Sequence, residues 1–121
     1  MKSTLLYHPT EWETCTRQII AAEKLFGVIQ VDVMKRRQYG LNVGEALIWS
    51  LDVFPDHRRS GIGKTLLHEA ESYASGMGCK YAFVEWTKGE AAPWVLQWYK
   101  RCGYKPYAQF DNTTRLRKQL L

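Results

Sequence analysis

Val53-Phe54-Pro55-Asp56-His57-Arg58-Arg59-Ser60-Gly61-Ile62-Gly63-Lys64-Thr65-Leu66-Leu67 joins a β-type run to an amphipathic helix through a short basic loop. The run stops at a proline, which has no N–H to give to a sheet ladder. Two glycines one residue apart then open a segment whose apolar residues recur at three- and four-residue spacing. That order aims several backbone N–H groups, a helix N-terminus, Arg58 and Arg59 at one small volume. Such a volume suits a phosphate group.

Working outward, residues 45–54 read as a strong strand and 61–77 as a helix, with Ser60 as N-cap and Gly76 and Gly78 at its end. Residues 79–86 read as a second buried strand, so the middle of the chain is a strand–helix–strand unit. Such a unit predicts two parallel strands joined by a right-handed crossover. Residues 93–102 read as a shorter helix with Pro93 in its first turn and Gly103 as its stop. Upstream, residues 4–7 read as an edge strand, and 16–22 and 25–35 as two strands joined at Glu23-Lys24. Ile29, Val31 and Val33 alternate there with Gln30 and Asp32. Residues 36–44 read as a loop, and 104–110 with 113–120 as a hairpin about Asp111-Asn112. The expected fold is one α/β (α+β) domain over residues 1–121 with a mixed sheet.

At 121 residues, 45% of them apolar and 13% aromatic, the chain suits one folded core. Cys15, Cys79 and Cys102 are odd in number and lack metal-ligand spacing, which predicts reduced thiols in a cytoplasmic protein and no metal site. The N-terminal residues lack a signal-peptide pattern, and no apolar run is long enough to span a membrane. The net charge of +5 favours anionic partners without choosing among them.

Three phosphate-binding loops compete for the opening stretch. Gly63-Lys64-Thr65 ends like a P-loop, but Arg58 stands where that motif needs its first glycine. Gly61-x-Gly63 begins like a dinucleotide fingerprint, but Leu66 stands at its third glycine and no βαβ series comes after it. Arg58-x-x-Gly61-x-Gly63, set between a strand ending in Val-x-Pro and a helix, resembles the acyl-CoA pyrophosphate loop of the GNAT superfamily of N-acyltransferases. Trp98-Tyr99-Lys100-Arg101-Cys102-Gly103-Tyr104 is similar to that family's Tyr-x-x-x-Gly-Phe/Tyr signature. The resemblance covers about residues 15–120.

The resemblance implies a mostly antiparallel mixed sheet with a splayed parallel pair, residues 45–54 and 79–86, flanked by helices. It implies acetyl-CoA as cofactor and transfer of its acetyl group directly to a primary amine, on a small molecule or a protein. Arg58, Arg59, Ser60, Gly61, Ile62, Gly63, Lys64 and Thr65 would hold the pyrophosphate. Leu51 and Val53 would meet the pantetheine arm, with the Val53 N–H toward the acyl oxygen. Tyr99 would protonate the leaving sulfur. Glu85 is the candidate general base, through water, ahead of Glu45, Asp52, His8 and His57. Barring a bulge, strand alternation groups Glu45 with Leu47, Leu51 and Val53 and puts Asp52 on the other face.

The chain departs from the family in two places. Only about ten residues separate its first strand from the next, where the family has one or two helices, so an open acceptor groove is expected, one that a homodimer could complete. Ala92 stands where many members have a cofactor-contacting asparagine. Two other functions stay open: a non-catalytic acyl-CoA-binding or sensor domain, and a nucleic-acid-binding basic domain using Lys35, Arg36, Arg37, Arg115, Arg117 and Lys118. Glu85 and Glu90 near the expected mouth favour a cationic acceptor.

Overall fold

The structure, a computed structural model, describes residues 4–58 and 61–120. Five strands precede the first helix: β1 (Thr4–Leu6), β2 (Thr10–Glu11), β3 (Cys15–Ala22), β4 (Gly27–Met34) and β5 (Ala46–Val53). Next come helix α1 (Ile62–Gly76), strand β6 (Tyr81–Thr87), helix α2 (Pro93–Arg101) and the hairpin of β7 (Lys105–Phe110) and β8 (Thr113–Gln119). Among the described residues the strands form one eight-stranded sheet in the order β1-β3-β4-β5-β6-β8-β7, with β2 also paired to β3. The β5–β6 ladder is parallel and the others are antiparallel. This is the expected mixed, mostly antiparallel sheet with flanking helices. The short β2 and a 3-10 turn at Pro55–His57 add to the elements read from the sequence. Ser60 lies outside the described residues, and Gly61 takes the N-cap position of α1.

Both helices cover the same face of the sheet. Ile62, Leu66, Leu67, Ala70 and Ala74 of α1 and Tyr99 of α2 pack with Ile20, Ile29, Val31, Ile48 and Val84 of the strands. Each fully buried Leu or Ile contributes about 1.5–3 kcal/mol. Across the back of α1, the buried Tyr104 hydroxyl donates to Glu71 Oε2 at 2.7 Å, and Lys118 Nζ donates to Glu71 Oε1 at 3.0 Å. That chain of bonds ties α1 to β8, and the Glu71 carboxylate is satisfied from two sides.

The opposite face carries no helix among the described residues. A smaller cluster of Cys15, Met34, Leu41, Leu47 and Phe83 lies there. Leu41 comes from the β4–β5 connection, where Gln38 and Leu41 exchange backbone bonds of 3.2 and 2.8 Å across a turn at Tyr39 and Gly40. Arg115 holds this turn by donating from Nη1 to the Tyr39 carbonyl at 2.5 Å. The connection therefore folds back and plugs the bare face with one fully buried leucine.

A bulge in β5 overturns the expected alternation. Val28 pairs with Asp52 and Gln30 with Trp49, so Ser50 and Leu51 together stand opposite Ile29. Ser50 sits at φ 55°, the left-handed region. The extra residue reverses the facing of the rest of the strand: Leu51 and Val53 pack on the helix-side cluster, whereas Leu47 belongs to the other face. The grouping of Leu47 with Leu51 and Val53 is thus corrected.

Gly27 marks the closest approach of α1 to the sheet. A Cβ there would lie 3.0 Å from the Asp52 carbonyl oxygen and 3.1 Å from both Ile62 Cγ2 and Leu66 Cδ1. The carbonyl belongs to the paired ladder and has little room to yield. Gly27→Ala is expected to cost about 1–3 kcal/mol, read as a lower denaturant midpoint with an unchanged slope. An unaltered midpoint would mean that α1 can lift from β4 at no cost.

Candidate active site

The parallel strands pair only at Ala46–Ala82 and Leu47–Phe83 and then diverge. Beyond that point the β6-facing backbone groups of β5 have no ladder partner. Phe54 donates its N–H to the Phe26 carbonyl at 2.9 Å. Because neighbouring residues in an antiparallel ladder alternate in direction, the N–H and C=O of Val53 face away from β4, into the opening. The Val53 carbonyl there accepts from Arg58 Nε at 3.1 Å.

The N-terminus of α1 closes one end of this cleft. Gly61, at φ 86°, turns the chain into the helix in a conformation that side chains rarely adopt. Its carbonyl accepts from Thr65 N–H at 3.0 Å, and no side chain of the described residues caps the helix. The N–H groups of Ile62, Gly63 and Lys64 precede the first intrahelical bond, and no acidic residue lies in the first turn. A doubly charged group fits this end, since it gains from both the unpaired N–H groups and the helix dipole. The Ile62 side chain is buried in the core, Lys64 is exposed and Thr65 is half-buried. Arg59 and Ser60 lie outside the described residues. A Cβ on Gly63 would stand 3.8 Å from the Trp98 ring and 3.9 Å from Val53 Cγ2. Trp98, Val53 and the Gly63 backbone therefore meet where strand, helix start and α2 converge.

Tyr99 lies next along α2, its ring buried and centred 5.5 Å from that of Trp98 and 6.1 Å from that of Tyr104. Its hydroxyl bonds to no described residue, while no fully buried side-chain polar atom among those residues lacks a partner. The hydroxyl therefore keeps contact with solvent. Burial, with a smaller effect from Cys102, pushes the Tyr99 pKa above that of an ordinary tyrosine. It is a protonated donor at neutral pH.

Glu85 is on the helix-free face of β6, beside the opening. Arg115 donates to its Oε2 from Nε at 2.9 Å and from Nη2 at 2.6 Å, leaving Oε1 without a described partner. Of the other candidates, Glu45 accepts the Asn42 N–H at 2.7 Å, Asp52 is exposed, and His8 Nδ1 lies 3.0 Å from the Pro9 carbonyl. The His57 side chain lies outside what the structure describes. The β6–α2 loop borders a cavity of about 580 Å³ lined by Trp86, Glu90 and Pro93 among others. Trp86 Nε1 donates to the Ala92 carbonyl at 3.0 Å across this loop.

The basic residues do not form one free patch. Lys35 pairs with Glu11, Arg36 with Glu13, Arg115 with Glu85 and Lys118 with Glu71. Arg117 lies over the rings of Tyr81 and Tyr107 at 4.3 and 4.5 Å. Among the described residues there is no group of three or more metal-ligating side chains and no helix long and apolar enough to cross a membrane. Two features escaped sequence reading: the Ser50 bulge, which leaves no compositional mark, and the grip of Arg115 on Glu85. The second depends on the register of β6 against β8, which sets those two residues opposite each other.

Residues 4–104 match the family of GNAT acetyltransferases. Among solved structures, the chain is similar to a PaiA N-acetyltransferase of Thermoplasma acidophilum in complex with coenzyme A, at a TM-score of 0.68 and 20% identity over 88% of this chain and 61% of that one. It is similar to an IAA acetyltransferase of Bacillus cereus at 0.66 and 18%, over 88% and 79% of the two chains. An acetyltransferase of the GNAT family from Staphylococcus aureus gives 0.65 and 11%, over 88% and 69%. No protein with a curated description matches. With its family match spanning most of its length, and with its strand order and splayed pair in place, this chain belongs to the GNAT acetyltransferase family.

Proposed function

We propose that the protein acetylates a primary amine, using acetyl-CoA held between β5 and β6 with its pyrophosphate on the N-terminus of α1. The observation that carries this reading is the α1 N-terminus, opened by Gly61, standing at one end of a parallel pair that parts after two residues on each strand. Acetyl-CoA supplies an activated carbonyl and a thiolate leaving group. The N–H groups of Ile62, Gly63 and Lys64 bind phosphate oxygens, and Arg58, with Arg59, adds charge-assisted bonds. Leu51 and Val53 offer backbone groups to the pantetheine arm, and the Val53 N–H steadies the charge growing on the acyl oxygen.

The amine reaches the cleft from the helix-free face. Glu85 Oε1 takes its proton through water, while Arg115 fixes the carboxylate from the other oxygen. Tyr99 supplies a proton to the departing sulfur from the helix side and regains it from solvent. No cysteine is assigned as nucleophile, so the acyl group would pass directly from sulfur to amine without an acyl-enzyme.

Thiol release from acetyl-CoA, measured across a panel of primary amines, tests the reading. Amine-dependent release with at least one class of acceptor is expected. CoA binding with no release for any amine would instead favour a non-catalytic acyl-CoA sensor, a reading that the engagement of Glu85 by Arg115 supports.

A further inference from the structure

Glu71 is a buried carboxylate that the proposed chemistry leaves unused. It stands in the second half of α1 and is 9% exposed. Lys118 Nζ donates to its two oxygens at 3.0 and 3.2 Å, and the Tyr104 hydroxyl donates to Oε2 at 2.7 Å. Apolar side chains of similar volume would pack here without the cost of taking a carboxylate out of water. What the bonded pair adds is direction: it fixes where the Tyr104 ring stands.

Tyr104 meets Tyr99 in two ways. Its N–H donates to the Tyr99 carbonyl at 3.1 Å, and the same carbonyl accepts from Cys102 N–H at 3.0 Å. These bonds close the end of α2 through Gly103, at φ 99°. The two rings also meet edge-on, with centres 6.1 Å apart and planes at 63°. Lys118 closes the far side. Its Nζ lies 5.7 Å from the Tyr104 ring centre, and its Cε would lie 3.3 Å from a Cβ on Gly103. Tyr104 is 1% exposed. Burial, and Glu71 after it, push the Tyr104 pKa well above that of an ordinary tyrosine, so its hydroxyl remains a donor to the carboxylate.

The bond links two parts of the cleft that would otherwise be set separately. The phosphates of the cofactor are taken by the first turn of α1, which places the sulfur. The proton donor stands on α2. Proton transfer from oxygen to sulfur tolerates little error in the distance between them. Among the described residues, no other side-chain hydrogen bond joins α1 to the stretch from Trp94 to Tyr104.

We propose that Glu71, acting through Tyr104, is the positioning residue that sets the Tyr99 hydroxyl against the sulfur of a cofactor held by the same helix. This rests on the reading of Tyr99 as proton donor in acetyl transfer, and names what places it. Neither Glu71 nor Tyr104 touches the reacting atoms.

The test is a cycle of four full-length chains: the parent, Tyr104→Phe, Tyr99→Phe and the double variant. Thiol release from acetyl-CoA is measured with one fixed amine, beside a CoA titration. Tyr104→Phe keeps the ring and its edge contact and loses only the bond to Glu71. It is expected to lower kcat by about tenfold, with CoA affinity and the amine KM unchanged. In the Tyr99→Phe background the same change should alter kcat by less than about twofold, because no hydroxyl is left to place. Glu71→Leu removes the bond from its other end and should give the same pattern, so either variant closes the cycle if the other fails to fold. Glu71→Gln, which keeps an acceptor for Tyr104, should recover most of kcat. Thermal unfolding of each variant checks that it folds. Unchanged kcat in Tyr104→Phe, or an equal fall with and without the Tyr99 hydroxyl, overturns the inference and leaves acetyl transfer and Tyr99 standing. Full turnover in Tyr99→Phe removes the proton donor, and this inference with it, while acetyl transfer stands. No thiol release with any amine removes all three.

Discussion

Tyr99→Phe is expected to lower kcat by about a hundredfold or more while leaving CoA affinity unchanged within experimental scatter. The ring does the packing: it meets Trp98 and Tyr104 edge-on or tilted in the helix-side core, and phenylalanine keeps all of that. The hydroxyl holds no structural bond to a described residue, so its removal strands no partner and should change stability by less than about 1 kcal/mol. What goes is the hydroxyl proposed as the proton donor to the leaving sulfur. Because burial raises the Tyr99 pKa, the parent enzyme should show no alkaline loss of kcat from this group until above about pH 10, the ordinary tyrosine value. Steady-state kinetics with a fixed amine, alongside a CoA titration, checks both parts. Full turnover in the Phe variant would remove Tyr99 from the chemistry and return it to the core.

The largest loss of stability is expected at Asp32. Asp32→Ala takes one carboxylate from three donors at once, Arg17 Nε, Arg17 Nη2 and Trp49 Nε1. Removing one member of a buried pair costs about 3–5 kcal/mol when the other is left dry. Here Arg17 is partly exposed and can hydrate, which brings the expected cost down to about 2–3 kcal/mol. Asp32→Asn keeps an acceptor for Trp49 and should lose about half as much. Urea unfolding monitored by tryptophan fluorescence reports both. Equal small losses for Ala and Asn would mean that Arg17 and Trp49 hold their places by stacking alone.

The sequence and the structure agree most closely where backbone chemistry is local. Pro55 and the Gly61–Gly63 pair bracket the turn into α1, and Pro93 opens α2 at its first turn. The alternation of Ile29, Val31 and Val33 with polar residues sets which face of β4 meets the helices. These signals are carried by single residues or short periods, so they survive without tertiary knowledge. The bulge at Ser50 is different. A serine at positive φ has no sequence mark, and the flip it causes moves Leu51 and Val53 to the helix side. The charged cluster is hidden for another reason. Arg17 and Asp32 are cross-strand neighbours, and so are Glu85 and Arg115, pairings that depend on register between strands rather than on spacing along the chain.

The bare sheet face is where this chain differs most from what its family resemblance implies. With few residues between β1 and β3, the cover comes from the β4–β5 connection through Leu41 and from side chains standing on the strands themselves. Trp12, Ile19 and Trp49 remain exposed by 40–49% on or beside that face. The short connection between β1 and β3 thus leaves aromatic side chains of this face open to solvent.

The central claim is that the cleft between β5 and β6, closed by the N-terminus of α1, holds CoA. Thermal unfolding of the full chain with and without CoA tests it most directly. At one hundred times its dissociation constant, a ligand bound only to the folded state adds about 2.7 kcal/mol, which for a domain of this size raises Tm by several degrees. The account predicts that rise with CoA and a much smaller one with pantetheine, which has the arm but no pyrophosphate for the α1 amides. No shift at millimolar CoA, or an equal shift with pantetheine, would contradict it.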